Sequence, residues 1–235
     1  MTEQSLTEAD LAALRKLDTP TVCNCLELLI PQRRGWGYTV EPLICSYPDL
    51  PPMVGYARTA TIRSMAPQQG DPADLKARRL AYYEYIEQGP RPSIVVLQDI
   101  DPIPGYGSFW GEVQSNVHKG LGALGTITNG CVRDIPDCAK GFQFISGSIK
   151  PSHAFVHVVA FDVDVTVSGM QVKPNDLIHA DRHGAVVIPI DLAKKIPETA
   201  AMISRKEKVV ISAAQKPGFS VADLRKAFAE QEDIH

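Results

Sequence analysis

The chain has 235 residues, of which 44% are hydrophobic and 22% are charged, and its formal net charge is −3. This composition is ordinary for a globular protein of one large or two small domains, and the absence of a dense Lys/Arg block argues against a nucleic-acid partner. No apolar run approaches the roughly 18 residues of a membrane helix, and residues 1–16 do not resemble a secretory signal, so we expect a cytoplasmic protein with no membrane partner.

Two short helices are predicted near the N-terminus. Thr7–Asp10 is typical of a helix start with early acids, and Asp18–Pro20 is a second cap with proline in the first turn. Residues 31–53 hold several prolines without a clear period, which indicates a loop, and residues 54–64 alternate as a strand does.

The middle of the chain alternates between strand and helix patterns, which is typical of an α/β fold. Glycine and proline bound most of these segments, so their limits can be read from the sequence. The predicted elements are a helix at 71–89, a strand at 93–100, a helix beginning near Ser108 and ending near Lys119, a strand at 123–130, a short helix at 133–141 and a strand at 142–148.

Residues 153–190 are predicted to be consecutive strands forming a β meander, and residues 191–235 a helical tail. We found no internal repeat or low-complexity linker. The simplest prediction is therefore a single α/β domain over residues 1–235, with a mixed sheet and helical segments at both ends.

The five cysteines offer little chemistry. Their odd number and the lack of a secretory signal argue against a disulfide framework. Cys23 and Cys25 lie two apart in a predicted helix, so their side chains diverge, and Cys131 has no base nearby in the sequence to make it a nucleophile.

A small anionic ligand is expected at the start of the helix predicted at 109–119. The first turn of a helix has free N–H groups and the positive end of the dipole, and a glycine there lets a ligand approach the backbone. The residues concerned are Gly111, Glu112, Val113 and Gln114.

Arg133 and Asp134 are expected at the same place. A right-handed crossover to a parallel strand would return residues 123–128 to the same sheet edge, with this dipeptide just beyond the strand. Arginine suits a carboxylate or enolate oxygen, while Asp134 and Glu112 offer hard oxygen ligands for Mg²⁺ or Mn²⁺. Spacing alone also allows a plain surface ion pair of Arg133 with one acid, with Asp134 capping the next short helix.

The stretch from Gly111 to Asp134 resembles the signature of the RraA-like family, which includes the class II, metal-dependent 4-hydroxy-4-methyl-2-oxoglutarate aldolases. The signature is an acid, twenty intervening residues and Arg-Asp, and here Glu112 is followed by residues 113–132 and Arg133-Asp134. The segments DTPTVCNCL, VGYARTATIR and VKPNDLIHADRHGAVVIP also resemble the family, so that the likeness covers about residues 15–210. It implies a swivelling β/β/α-like fold with a mixed sheet.

The resemblance also implies an activity and roles for these residues. The backbone of residues 111–114 would hold the pyruvyl carboxylate, Arg133 would contact the keto oxygen, Asp134 would bind the divalent metal, and Glu112 would act through water. The reaction would be retro-aldol cleavage of a 4-hydroxy-2-oxo diacid to pyruvate and a second keto acid, with oxaloacetate decarboxylation as a side activity. The first acid is often Asp in the aldolases and is Glu112 here, which leaves efficiency and preferred substrate open.

A second branch of the family, the inhibitors of ribonuclease E, shares the fold and acts by binding a protein. That branch commonly lacks the Asp after the Arg, so Asp134 favours the enzyme, and a non-catalytic regulator of a ribonuclease is the alternative. The family also implies a homotrimer or homohexamer in which a neighbouring subunit's C-terminal helix supplies an acid, for which Glu207 is the nearest candidate. An exposed i,i+4 pairing is the plainer explanation of Glu207.

Several other residues have a competing structural explanation. The pairs His153/His157 and His179/His183 have spacings that metal sites also use, although ordinary sheet or turn positions fit them better. His118 is expected to face solvent, with the mouth of the pocket as the alternative. Trp110 and Tyr106 border the Gly-rich turn and are candidates for the pocket wall, and neither Lys150 nor Lys173 has the apolar setting of a Schiff-base lysine.

Overall fold

The computed structural model describes residues 6–234, in which six α-helices and ten strands alternate. The helices are α1 Glu8–Leu14, α2 Thr19–Leu29, α3 Pro72–Gln88, α4 Glu112–Gly120, α5 Ile196–Ala214 and α6 Val221–Glu232. The strands are β1 Ile44–Cys45, β2 Met53–Arg63, β3 Ser93–Asp99, β4 Ala123–Val132, β5 Gln143–Ile149, β6 His157–Phe161, β7 Val165–Val167, β8 Met170–Val172, β9 Leu177–Asp181 and β10 Gly184–Ile188.

An eight-stranded mixed sheet forms the centre of the molecule, in the order β1-β5-β4-β3-β2-β9-β10 with β6 also paired to β2. Strands β2 to β5 are parallel, and β1, β6 and β9 run antiparallel to their neighbours. The predicted α/β class with a mixed sheet and helices at both ends is confirmed.

The predicted β meander is wrong in its pairing, although its strands exist. Strand β6 pairs with β2, while β7–β8 and β9–β10 are two separate hairpins. The cause is the length of β2, whose 11 residues hold β9 along the first part and β6 along the last.

Two other local predictions need correction. The segment predicted as a helix at 133–141 holds only a single 3-10 turn, Ile135–Asp137, because the chain is left-handed at Asp134 and extended again at Cys138. The 31–53 loop contains a 3-10 turn at Pro31–Arg33 and the short strand β1.

The sheet is covered on both faces. On one side α3 and α4 pack an aromatic cluster against β2 to β5, and on the other the β7–β8 hairpin closes a second core. Helices α1, α2 and α5 cover β9 and β10. None of the helices between residues 6 and 234 combines the length and apolar composition that a bilayer crossing requires.

Candidate active site

The chain leaves the sheet at the same edge after β3 and after β4, because these two strands are parallel neighbours. The segment after β3 leads into α4, and Arg133 and Asp134 follow β4 directly. A parallel bridge between Trp110 and Val132 joins the two segments, and the Arg133 N–H donates to the Trp110 carbonyl at 3.0 Å. The segments that follow β3 and β4, which the sequence predicted to meet, therefore lie side by side.

Helix α4 begins at Glu112, four residues later than the predicted start near Ser108, because Trp110 is held in the bridge to β4. Gly111 is the N-cap, so the amides of the first turn donate no hydrogen bond to a capping side chain. A methyl group built on Gly111 would lie 2.7 Å from Oδ2 of Asp134 and 3.2 Å from Cγ of Arg133. Glycine at this position is thus what lets the two segments meet.

Asp134 has a left-handed backbone, with φ of 56°, which is uncommon for a residue other than glycine. Its Oδ2 lies 3.5 Å from Nε of Arg133, so the ion pair that spacing allowed is present. The predicted capping role is absent, since Asp134 makes no side-chain cap hydrogen bond to the following 3-10 turn. An unusual backbone held next to a cavity is a common mark of a functional position.

A cavity of about 590 Å³ opens in front of these residues. Gly111, Glu112, Val113, Gln114 and Arg133 all line it, as do parts of α3 and the segment leading into β6. Asp134 is not among the lining residues, although it is next to Gly111 and Arg133 and its side chain is about one third exposed (35%).

Positive charge dominates the cavity. Glu112 is the one carboxylate among its lining residues within 6–234, whereas the basic side chains are Lys76, Arg78, Arg79, Arg133, His153 and His157. A cleft lined by charge of one sign raises the local concentration of the opposite ion. The cavity is therefore suited to an anion.

The carboxylates of Glu112 and Asp134 are hard oxygen donors that suit Mg²⁺ or Mn²⁺. Burial raises the pKa of the nearby Cys138 thiol, a hydrogen bond with Ser115 opposes this, and the charges of Asp134, Asp137 and Glu112 add to it. No group of three or more His, Cys, Asp or Glu side chains in the described part of the chain is arranged to hold a metal. The residues thus fit part of a metal shell, with the other positions left to water, substrate or another subunit.

His118 is completely buried, contrary to the expectation of a solvent-facing or pocket-mouth position. Its Nδ1 lies 2.7 Å from the Gln114 carbonyl and its Nε2 lies 2.8 Å from the Tyr82 hydroxyl. This pairing fits a neutral ring that donates from Nδ1 and accepts at Nε2, and burial lowers the pKa of His118 to about 4. The contact of α4 with α3 therefore buries His118, whose side the sequence of α4 alone did not determine.

Trp110 and Tyr106 do not wall the cavity. Trp110 is 1% exposed and packs against His118 with ring centroids 4.7 Å apart, whereas Tyr106 is exposed outside the cavity lining. Phe109 lines the cavity instead.

Helix α3 contributes to the cavity, which the sequence did not predict. Tyr83 lines the cavity and donates from its hydroxyl to Oε1 of Gln114 at 3.0 Å, which ties α3 to the first turn of α4. Pro72, Lys76, Arg79 and Tyr83 are spaced by four, three and four residues, a helical stripe that the sequence contained.

The remaining candidates fall in different places. His153 and His157 line the cavity, and the Nδ1 of each lies within hydrogen-bond distance of a nearby backbone carbonyl. His179 is buried against Thr19, and His183 pairs with Asp181 on the β9–β10 turn, away from the cavity. Glu207 is exposed on α5 and does not line the cavity of its own chain.

The sequence model of the RraA-like family (Aldolase/RraA) matches residues 11–187, which is most of the chain and includes every residue that lines the cavity, together with Asp134. The chain belongs to the RraA-like family. Proteins of this family include ribonuclease inhibitors and 4-hydroxy-4-methyl-2-oxoglutarate aldolases, and they are typically multimeric.

Two curated relatives match parts of this RraA-like chain. Protein DlpA of Legionella pneumophila is 25% identical over 134 residues, which are 53% of this chain and 21% of DlpA. Uncharacterized protein MJ0644 of Methanocaldococcus jannaschii is 32% identical over 105 residues, 44% of this chain and 50% of the relative. The matched stretches therefore span at most half of either relative.

Solved structures share the fold. An uncharacterized protein from Pseudomonas syringae pv. tomato has a TM-score of 0.71 at 22% identity, with 96% of this chain and 97% of that chain covered. RraAS2 of Streptomyces coelicolor, described as an unusual member of the RNase ES inhibitor RraA family, has a TM-score of 0.66 at 23% identity and coverage of 87% and 96%. At these identities the likeness establishes the fold.

Proposed function

We propose that this protein is a divalent-metal-dependent lyase that cleaves 4-hydroxy-2-oxo diacids of the 4-hydroxy-4-methyl-2-oxoglutarate type to pyruvate and a second keto acid. Decarboxylation of oxaloacetate would be a side activity, because it passes through the same pyruvate enolate. The observation that carries the proposal is the contact of the Gly111 backbone with Arg133 and Asp134 beside an anion-attracting cavity.

The first turn of α4 supplies the site for the substrate's 1-carboxylate in this proposal. Helix N-terminal amides bind carboxylates, and Gly111 and the first turn of α4 line the cavity. Gln114 holds this turn to α3 through the Tyr83 hydroxyl, so the amides are fixed before a substrate arrives. A site that is already ordered loses less free energy on binding.

Arg133 faces the oxygen on which charge develops. In the retro-aldol step the C3–C4 bond breaks, the 4-hydroxyl loses its proton, and the bonding pair becomes the enolate of pyruvate, which is then protonated at C3. A fixed guanidinium beside the C2 oxygen stabilises that negative charge. The ion pair with Asp134 and the hydrogen bond from the Arg133 N–H to Trp110 hold Arg133 in position.

Asp134 and Glu112 would hold the metal, the first directly and the second through water. When bound, a divalent cation polarises the keto oxygen and lowers the pKa of a coordinated water. Glu112 lines the cavity with an exposed carboxylate and would orient the water that takes the 4-hydroxyl proton.

The test is pyruvate release from oxaloacetate and from 4-hydroxy-4-methyl-2-oxoglutarate, with added Mg²⁺ or Mn²⁺ and after chelation. We expect release that stops on chelation and falls by about 100-fold or more in Arg133→Ala, because removing one charge-stabilising donor costs that much. Arg34→Ala is the matched control, since its side chain is 81% exposed and lies outside this cavity.

Equal rates for the wild type, Arg133→Ala and Arg34→Ala would contradict the lyase. That result would favour the alternative from the sequence, a non-catalytic regulator of a ribonuclease. Inhibition of ribonuclease activity by both the wild type and Arg133→Ala would then be the measurement that supports it.

A further inference from the structure

We propose that Lys76 and Arg79 on α3 form a second anion subsite, which selects 2-oxo acids with a carboxylate at the far end. The inference rests on the proposed function for the location of the first carboxylate, and it assigns the recognition of the second carboxylate to α3. Both residues line the cavity with the α4 amides and Arg133.

The basic and acidic residues of α3 differ in whether they line the cavity. Its three basic residues, Lys76, Arg78 and Arg79, all line the cavity, whereas none of its acids does. Those acids are Asp74, Glu84 and Glu87. The cavity face of α3 therefore has no carboxylate of its own helix to neutralise it.

Lys76 and Arg79 also lack partners. Within residues 6–234 neither side chain has a hydrogen bond or an ion pair, whereas the guanidinium of Arg78 donates to the Val159 carbonyl and anchors α3 to β6. Arg78 thus has a structural use, and the other two cations remain available to a ligand. A charge-assisted hydrogen bond to a carboxylate is about twice as strong as a neutral one.

Their position along α3 sets the spacing of the two subsites. Tyr83, on the same stripe, contacts Gln114 in the first turn of α4 at 3.0 Å and so marks the first subsite. With a rise of 1.5 Å per residue, Arg79 and Lys76 lie about 6 Å and about 10 Å from Tyr83 along the helix axis. That spacing suits an acid whose two charged ends are separated by a short carbon chain.

Two imidazoles also line the cavity. His153 and His157 line the cavity from the segment leading into β6 and its first residue. In each ring a hydrogen bond from Nδ1 to a backbone carbonyl leaves Nε2 as the nitrogen without a bond in the described chain. In a neutral ring with its proton on Nδ1, Nε2 accepts a hydrogen bond, so the α3 cations bind the second carboxylate and these imidazoles do not.

The test measures binding of two matched ligands by calorimetry in the presence of Mg²⁺. 2-Oxoglutarate and 2-oxovalerate have the same five-carbon 2-oxo acid chain and differ in the distal carboxylate, and neither has the 4-hydroxyl that retro-aldol cleavage requires. We expect the wild type to bind 2-oxoglutarate about tenfold or more tightly than 2-oxovalerate. Lys76→Gln/Arg79→Gln should remove this preference while leaving the affinity for 2-oxovalerate within about twofold.

The control is Arg225→Gln/Lys226→Gln on α6, which removes the same two charges from exposed positions outside the cavity. It should keep the wild-type preference, and circular dichroism should show all three proteins folded. Equal affinities in the wild type, or a preference that survives in Lys76→Gln/Arg79→Gln, would overturn the subsite. A preference seen without any pyruvate release would contradict the lyase while supporting the subsite, so the two failures are distinguishable.

Discussion

Asp134 carries a carboxylate on a left-handed backbone, with φ of 56°. Asparagine tolerates this backbone conformation and has a side chain of the same size as aspartate, while glycine adopts the conformation without the steric penalty of a Cβ. We expect Asp134→Asn to change the free energy of unfolding by less than about 0.5 kcal/mol and Asp134→Gly to raise it by about 1 kcal/mol.

Both variants should lose metal-dependent pyruvate release by about 100-fold or more, since each removes the carboxylate. Urea unfolding and pyruvate release measured on the same preparations check the pair. Full activity in Asp134→Asn would show that the negative charge at this position is not needed.

Gly111 provides a test of how closely the two segments approach. A Cβ there would lie 2.7 Å from Oδ2 of Asp134, so Gly111→Ala must displace Asp134 or Arg133. We expect kcat/KM for pyruvate release to fall by about 100-fold, because small misplacements of a catalytic group are that damaging.

Gly120→Ala, at the other end of α4, is the matched control. Nothing lies within 4 Å of the added methyl, and alanine is the better helix former by up to about 1 kcal/mol. Unchanged kcat/KM in Gly111→Ala would mean that the approach of the two segments has no catalytic purpose.

At the residue level, the sequence predicted the meeting of the α4 N-terminus with Arg133 and Asp134, because a strand and its parallel neighbour must exit at one edge. It did not predict the left-handed backbone of Asp134, which depends on how the 3-10 turn follows β4. It also missed Lys76 and Arg79, since the orientation of α3 is set by packing of Tyr82 and Ile86 in the core.

At the level of elements, α4 is fixed to α3 through His118, which is completely buried and hydrogen-bonded to Tyr82. Its pKa is lowered from 6.5 to about 4, so the unfolded chain binds a proton more readily. The stabilisation that this neutral ring contributes is complete above pH 6.5 and is lost as the pH falls toward 4.

His118→Gln should therefore flatten the pH dependence of stability over that interval. The wild type should lose up to about 3 kcal/mol more than the variant between the two pH values, and urea titrations at each pH measure the difference. Parallel curves for the two proteins would contradict a neutral, buried His118. The sequence alone did not predict this role, because the helical period of α4 is the same whichever way the helix is turned.

At the level of the whole molecule, the described chain offers no complete metal shell of its own, and RraA-like proteins are typically multimeric. We predict a homotrimer or homohexamer in which Glu207 of one subunit completes the site of the next. Glu207 is exposed on α5 and does not line the cavity of its own chain. Both properties are expected of a residue that binds the metal of a neighbouring subunit.

Mixed oligomers test this arrangement. Arg133→Ala and Glu207→Ala chains should each be inactive alone. Co-expressed chains should regain a fraction of wild-type pyruvate release, because some active sites then combine an intact Arg133 from one subunit with an intact Glu207 from its neighbour. Sedimentation should show one oligomer size throughout. Wild-type activity in Glu207→Ala alone would remove this residue from the site.

The fold class, the sheet edge and the family were accessible from the sequence, since they follow from alternating periods and one well-spaced signature. The pairing of β6 with the end of β2 was not, because it depends on a strand long enough to accept two partners. The cavity itself is formed by α3, α4 and the segment before β6, which are distant in the chain.

The most direct test of the central claim is a crystal structure of the protein with pyruvate and Mn²⁺, collected to show the anomalous signal of manganese. We predict a manganese peak at the Asp134 carboxylate, the pyruvate carboxylate on the amides of residues 111–114, and the keto oxygen at the Arg133 guanidinium. Pyruvate bound elsewhere, or a manganese peak away from Asp134 with the α4 amides facing only solvent, would contradict the account.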